Sequence, residues 1–193
     1  MALLTREQIE KLGFESVGAN VLISDRASFY GCGRISLGSH VRIDDFCVLS
    51  AGEGGIAIGS YIHIAVCSSL IGAGRIVLAD FCNVSSRVAI YSSSDDFSGQ
   101  TMTNPMVPRE YRGVTDAEVN MGRHVIIGTG AVVLPGVSLE EGVAVGALSL
   151  VKSSCRAFGI YAGVPAELVG ERSRRFLDLE QELRSGCYIQ GAR

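Results

Sequence analysis

Between Met121 and Val151 an apolar side chain returns every sixth residue, at Met121, Ile127, Val133, Leu139, Val145 and Val151. Four positions after each of the first five stands a small or branched residue: Val125, Ala131, Val137, Val143 and Ser149. A helix repeats at about 3.6 residues and a flat strand at about 2, so neither accommodates a strict beat of six. Three such sixes make one triangular coil of short parallel strands joined by tight corners, and stacked coils merge their inward residues into one core. The same template runs backwards through Val17, Ile23 and Phe29, then Leu37, Ile43 and Leu49, then Ile58, Ile64 and Leu70, then Leu78, Val84 and Ile90. Val21, Ala27, Val41, Cys47, Ile62, Ser68, Cys82 and Val88 take the small positions. The pattern predicts an all-β solenoid of about six coils over residues 17–155, with enlarged corners at Gly31-Cys32-Gly33 and Gly52-Glu53-Gly54-Gly55.

Other segments frame the repeat. Residues 1–16 read as a helical cap in which Thr5-Arg6-Glu7-Gln8 forms a capping box and Gly13 ends the helix. Residues 92–118 are polar, break the rhythm, and read as one long unstructured excursion loop. Residues 156–193 hold the turn Ala162-Gly163-Val164-Pro165-Ala166 and a final helix over about Glu167 to Ser185, whose Phe176, Leu179 and Leu183 would cover the open end of the solenoid.

Composition narrows the function. Hydrophobic residues make up 47% and aromatics only 7%, with no Trp, which suits a narrow core of Val, Ile, Leu and Ala. The net charge of −3 supplies no basic field for nucleic acid. The start, MALLTREQIE, reaches charge too early for a signal peptide, and no apolar run approaches a membrane span. The six cysteines show no CxxC spacing, and Cys47 and Cys82 fall at inward positions. Buried free thiols in a reducing cytoplasm are therefore expected.

The repeat [Leu/Ile/Val]-[Gly/Ala/Asp]-x-x-[small]-x, the single excursion and the closing Gly163-Val164-Pro165-Ala166 resemble the hexapeptide-repeat acyltransferases, from about Val17 to Arg172. The stretch Ile90 to Gly99, followed by Met102-Thr103-Asn104-Pro105, resembles the branch acting on nucleotide-linked amino sugars and O-antigen sugars. The resemblance implies a left-handed parallel β-helix, a cytoplasmic homotrimer with sites between subunits, and transfer of an acetyl or longer acyl group from coenzyme A. It implies no metal.

Acyl transfer needs an acceptor lone pair, a destination for its proton, and donors for the developing oxyanion. Family members often place a His in the excursion as base, but this loop holds none, only Ser92 to Ser94 and Asp95-Asp96. An amine attacks in its neutral form and loses its proton after bonding, so the missing His favours N-acylation over sugar O-acetylation, the alternative. On the middle face the outward column reads Leu22, Arg42, His63, Asn83, Ile126, Ala144, and the adjacent corner reads Ser24, Asp44, Ala65, Ser85, Gly128, Gly146. Asp95, Asp96, His63 and Ser85 are the expected catalytic residues, with Asn83, Ser94, Asn104 and Arg42 on the sugar nucleotide. Through the resemblance, Gly128, Thr129, Gly146 and Ala147 would meet the pantetheine arm, and Lys152, Val164, Pro165 and Arg172 the nucleotide end of coenzyme A. A zinc hydratase would need His40, His63 and His124 to converge. A non-catalytic scaffold would leave the polar loop without a purpose.

Overall fold

The six-residue beat becomes short strands because each inward residue is followed by an outward one and then a corner. A computed structural model describes residues 2–186. Its first face stacks Ser16–Val17, Ile35–Leu37, Ile56–Ile58, Ile76–Leu78, Val119–Met121 and Ser138–Leu139 in parallel. The second begins with Leu22–Ile23, Val41–Ile43, Ile62–Ile64, Asn83–Val84, Ile126–Ile127 and Ala144–Val145. The third stacks Ser28–Tyr30, Val48–Ala51, Ser69–Gly72, Ala89–Tyr91, Val132–Val133 and Leu150–Val151. Predicted inward residues fall in register, as in the column Leu37, Ile58, Leu78, Met121, Leu139. Nearly all are sealed from solvent; Val17 and Phe29, on the terminal coil, are partly covered.

The coils wind as a left-handed parallel β-helix. Six are complete. A seventh begins where Cys155 bridges Leu139 and Gly159–Ala162 pairs with Ala144–Val145, which takes the solenoid to about seven turns rather than six. Helix α1 (Arg6–Lys11) closes the first end with the expected box: Gln8 N–H donates to Thr5 Oγ1 at 3.3 Å and Thr5 N–H to Gln8 Oε1 at 2.8 Å. Phe14 meets Phe29 edge-on, 5.1 Å between ring centres.

Two expectations are corrected. The helix expected over about Glu167 to Ser185 is shorter: Glu167–Glu171 is a strand, antiparallel to Gly159–Ala162, and helix α2 spans only Arg175–Arg184. The last coil exposes an unpaired strand edge, and pairing with it overrides the local helical pattern. Leu179 is 51% exposed, whereas the next residue, Glu180, one turn on from Phe176, is buried at 6%. The excursion is also folded: Ser93–Asp95 pairs antiparallel with Val114–Asp116, and a 3₁₀ turn, Arg109–Tyr111, lies between them. The part of the C-terminal expectation that falls on residues 187–193, Cys187 included, lies outside the described residues.

Helix α2 runs beside the corner between the first and second faces. There His40, Tyr61, Phe81 and His124, all at positive φ, stack at 4.6, 4.8 and 4.8 Å, the spacing that the coils impose. The next coil places Gly142 at this corner (φ 72), where a Cβ would come within 2.5 Å of the Phe158 ring. Phe176 from α2 enters the room so left, 4.7 Å from the His124 ring centre. The buried Glu180 carboxylate accepts from His124 Nε2 at 2.6 Å, from Arg184 Nε at 2.6 Å, and from Arg123.

Candidate active site

The outward column of the second face stacks as expected, Leu22 beside Arg42, then His63, Asn83, Ile126 and Ala144. Asp44, at the neighbouring corner, accepts from Arg42 Nε at 2.7 Å and lies 2.8 Å from His63 Nε2. Burial alone would raise the Asp44 carboxyl, yet hydrogen bonds from Arg42 and His63 hold it below the usual carboxylate range. With Asp44 ionised, His63 donates from Nε2 and offers only Nδ1 outward. One coil further, the side chains of Asn83 and Ser85 make no hydrogen bond to any described residue. The Ser85 N–H is fixed to the Ile127 carbonyl at 3.0 Å, so its free hydroxyl has a defined position on the wall.

The expected coenzyme residues continue this corner. Ser86 and Thr129 hydroxyls lie 3.5 Å apart, and the chain passes on to Gly146 and Ala147. A Cβ on Gly128 would sit 2.5 Å from Ala147 N, so close approach of the coils requires glycine there whatever binds. Lys152 is exposed and unpaired among the described residues. Val164 and Pro165 form the tip of the C-terminal hairpin, with Val164 71% exposed. Arg172 is committed elsewhere: it donates to the His124 and Gly142 carbonyls at 2.6 and 3.1 Å and packs 4.5 Å over the Phe176 ring.

In the excursion the two aspartates separate. Asp96 accepts from Ser98 N–H at 2.7 Å and from Thr101 N–H and hydroxyl at 2.8 and 3.0 Å, bonds that hold its carboxyl far below the usual range. Such a group braces the loop and is a poor proton acceptor. Asn104 likewise turns its side chain to Met106 N–H at 3.0 Å. Asp95 has no such partner and is exposed. Ser93 and Asp95 share one side of the hairpin while Ser94 projects from the other, as alternation along a strand requires.

The loop and the polar column lie at one level of the prism but at different corners. The chain leaves the third face at Ser92 and rejoins the first face at Val119, so Asp95 projects from the corner between those faces. Ser85 lies at the corner between the second and third faces, a full face away, about 20 Å of extended chain. Asp95 and Ser85 therefore stand on different corners of one chain.

The architecture is that of an acyl-transferring β-helix, the class to which the hexapeptide-repeat enzymes belong. No family model matches the sequence. Individual proteins do. The chain is 57% identical over 180 residues to dTDP-4-amino-4,6-dideoxy-D-glucose acyltransferase of Escherichia coli, covering 93% of this chain and 94% of that one. AntD, an N-acyltransferase from Bacillus cereus solved with dTDP and 3-hydroxybutyryl-CoA, superposes with a TM-score of 0.92 at 45% identity, over 96% of this chain and 97% of that one. A serine-to-alanine variant of AntD, bound to dTDP-4-amino-4,6-dideoxyglucose and coenzyme A, gives a TM-score of 0.91 at 43% identity, over 96% and 98%. The chain belongs to the hexapeptide-repeat family of coenzyme A-dependent N-acyltransferases acting on nucleotide-linked amino sugars.

Sequence reasoning missed Asp44 as the partner of His63, although the two stand on adjacent outward columns. It also missed the aromatic stack, whose signal was a ring directly before an inward residue: His40 before Val41, Tyr61 before Ile62, Phe81 before Cys82, His124 before Val125.

Proposed function

We propose that this enzyme acylates the 4-amino group of dTDP-4-amino-4,6-dideoxyglucose in the cytoplasm, using an acyl-coenzyme A, to supply a surface polysaccharide such as O-antigen. The 57% identity over nearly the full length of both chains carries this reading. The neutral amine attacks the thioester carbonyl, the carbon–sulfur bond breaks, the thiolate departs with the electron pair, and the amine's proton passes to Asp95. Ser85 and Asn83 hydrogen-bond the amine or the developing oxyanion from the wall. Variants of AntD that change one serine or one aspartate lie ten residues apart in that chain, the spacing of Ser85 and Asp95 here, which supports pairing these two. Since they occupy different corners of one chain, the working site is assembled between copies, and a closed homotrimer provides three.

The test is a thiol-release assay with acetyl- and 3-hydroxybutyryl-coenzyme A, offering the 4-amino sugar nucleotide beside its 4-hydroxy counterpart. Turnover with the amine and none with the alcohol is expected. Equal turnover, or turnover with the alcohol alone, would overturn the reading.

A further inference from the structure

At the foot of the excursion a cavity of about 330 Å³ is lined by Ala73, Ser93, Arg109, Arg112, Val114 and Asp116. Neither guanidinium forms an ion pair or a side-chain hydrogen bond with any described residue. Arg112 Nε is buried without a hydrogen-bond partner among the described residues. A buried charged donor left unmatched is costly, so such a group usually serves an acceptor that arrives from outside. The remaining polar groups of the cavity are matched: Ser93 Oγ accepts from Ala73 N–H at 2.6 Å and donates to Asp116 at 2.6 Å. Two unmatched cations against one carboxylate already engaged leave a net preference for an anion.

The position of the cavity says which anion. Ser93 and Asp95 project from the same side of the hairpin, two residues and therefore about 7 Å apart. That separation is comparable with the breadth of one sugar ring. In a 4-amino sugar nucleotide the amine and the diphosphate leave opposite ends of that ring. An amine held at Asp95 therefore directs the diphosphate to the two arginines.

We propose that Arg109 and Arg112 clamp the diphosphate of the sugar nucleotide and thereby set the amine against Asp95, an assignment that rests on the substrate reading above. A planar guanidinium suits phosphate oxygens because it offers paired parallel donors. The arginines touch the diphosphate and neither the base nor the acyl donor, so they govern the affinity for nucleoside diphosphates in general.

Calorimetric titration of the full-length protein with dTDP, UDP, dTMP and coenzyme A tests this, using wild type, Arg109→Gln and Arg112→Gln. Each substitution is expected to weaken dTDP binding by about 10-fold to 100-fold, raise KM for the sugar nucleotide by more than it lowers kcat, and leave coenzyme A affinity unchanged. Removal of the β-phosphate should flatten the difference, so that wild type and variants bind dTMP alike. Arg109 is exposed, so its variant is a fair test even if Arg112→Gln folds poorly. Wild-type affinity for dTDP retained in Arg109→Gln overturns the proposal. So does a change of oligomer mass in the variants without any change in nucleotide affinity, which would assign the arginines to subunit contact, and so does a wild type that binds no nucleoside diphosphate. Wild type that binds UDP in place of dTDP, with the loss repeated for UDP, would sink the substrate reading and uphold the clamp.

Discussion

Two neighbouring carboxylates in the excursion have opposite duties. Asp96 is spent on Ser98 and Thr101, whereas Asp95 is exposed and its carboxylate makes no hydrogen bond to any described residue. Asp95→Asn is therefore expected to lower kcat by about 100-fold, the lower range for loss of a positioned proton acceptor, with coenzyme A affinity kept. Asp96→Asn should instead loosen the loop and raise KM for the sugar nucleotide with a smaller change in kcat. Equal kcat losses in steady-state kinetics of the two variants would contradict this division. The adjacent pair was visible in the sequence, but which of the two is free depends on where loop N–H groups point, and that follows from the folded hairpin. The thiols make a separate residue-scale test. Burial pushes Cys47 up to about 11, Cys82 to about 12 and Cys155 to about 11, while Cys67 is exposed. Alkylation of the native protein at pH 8, mapped by peptide mass, should mark Cys67 and spare those three.

At the scale of elements, helix α2 is held by the Phe176 ring, the Glu180 carboxylate and the Arg184 guanidinium, which lies 3.6 Å from Asp80 and 5.4 Å over the Phe81 ring. Burial would raise the Glu180 carboxyl, but hydrogen bonds from His124, Arg184 and Arg123 lower it from 4.5 to about 2. A depressed folded-state value contributes stability that is complete above 4.5 and is lost as pH falls toward 2. The melting temperature of wild type should accordingly fall through this acid window more steeply than that of Glu180→Gln. At neutral pH the same variant should be less stable by roughly 1–3 kcal/mol, because His124, Arg123 and Arg184 lose their acceptor. Parallel acid slopes would contradict it. The coils were legible residue by residue because six-residue periodicity has no competing explanation. The C-terminal strand was not, since Glu167–Glu171 becomes a strand only beside the edge that the seventh coil exposes. The lining of α2 was misjudged for a related reason: a buried Glu breaks the rule that apolar residues face inward, and only the corner formed by Arg123 and His124 makes Glu180 the inner residue.

The whole molecule is a prism that carries an amide on its second face, a hydroxyl at the adjoining corner and a carboxylate at another corner. On the proposed reading an amine reached by both lies between neighbouring copies, which predicts a trimer by sedimentation equilibrium. It also explains why the sequence disclosed the chemistry sooner than the site. Periodicity assigns each residue to a wall or a corner, whereas Ser85 and Asp95 stand on different corners of one chain, and no repeat within the chain relates them. Ser85 and Asp95 are proposed to act on one substrate from two subunits. Mixing inactive Ser85→Ala and Asp95→Asn chains, unfolding them together and refolding them into random trimers tests it most directly. Each parent alone should show little thiol release with the 4-amino sugar nucleotide, and the mixture should regain roughly a quarter of wild-type activity, the share of interfaces that unite two intact halves. A mixture as inactive as its parents would contradict the shared site.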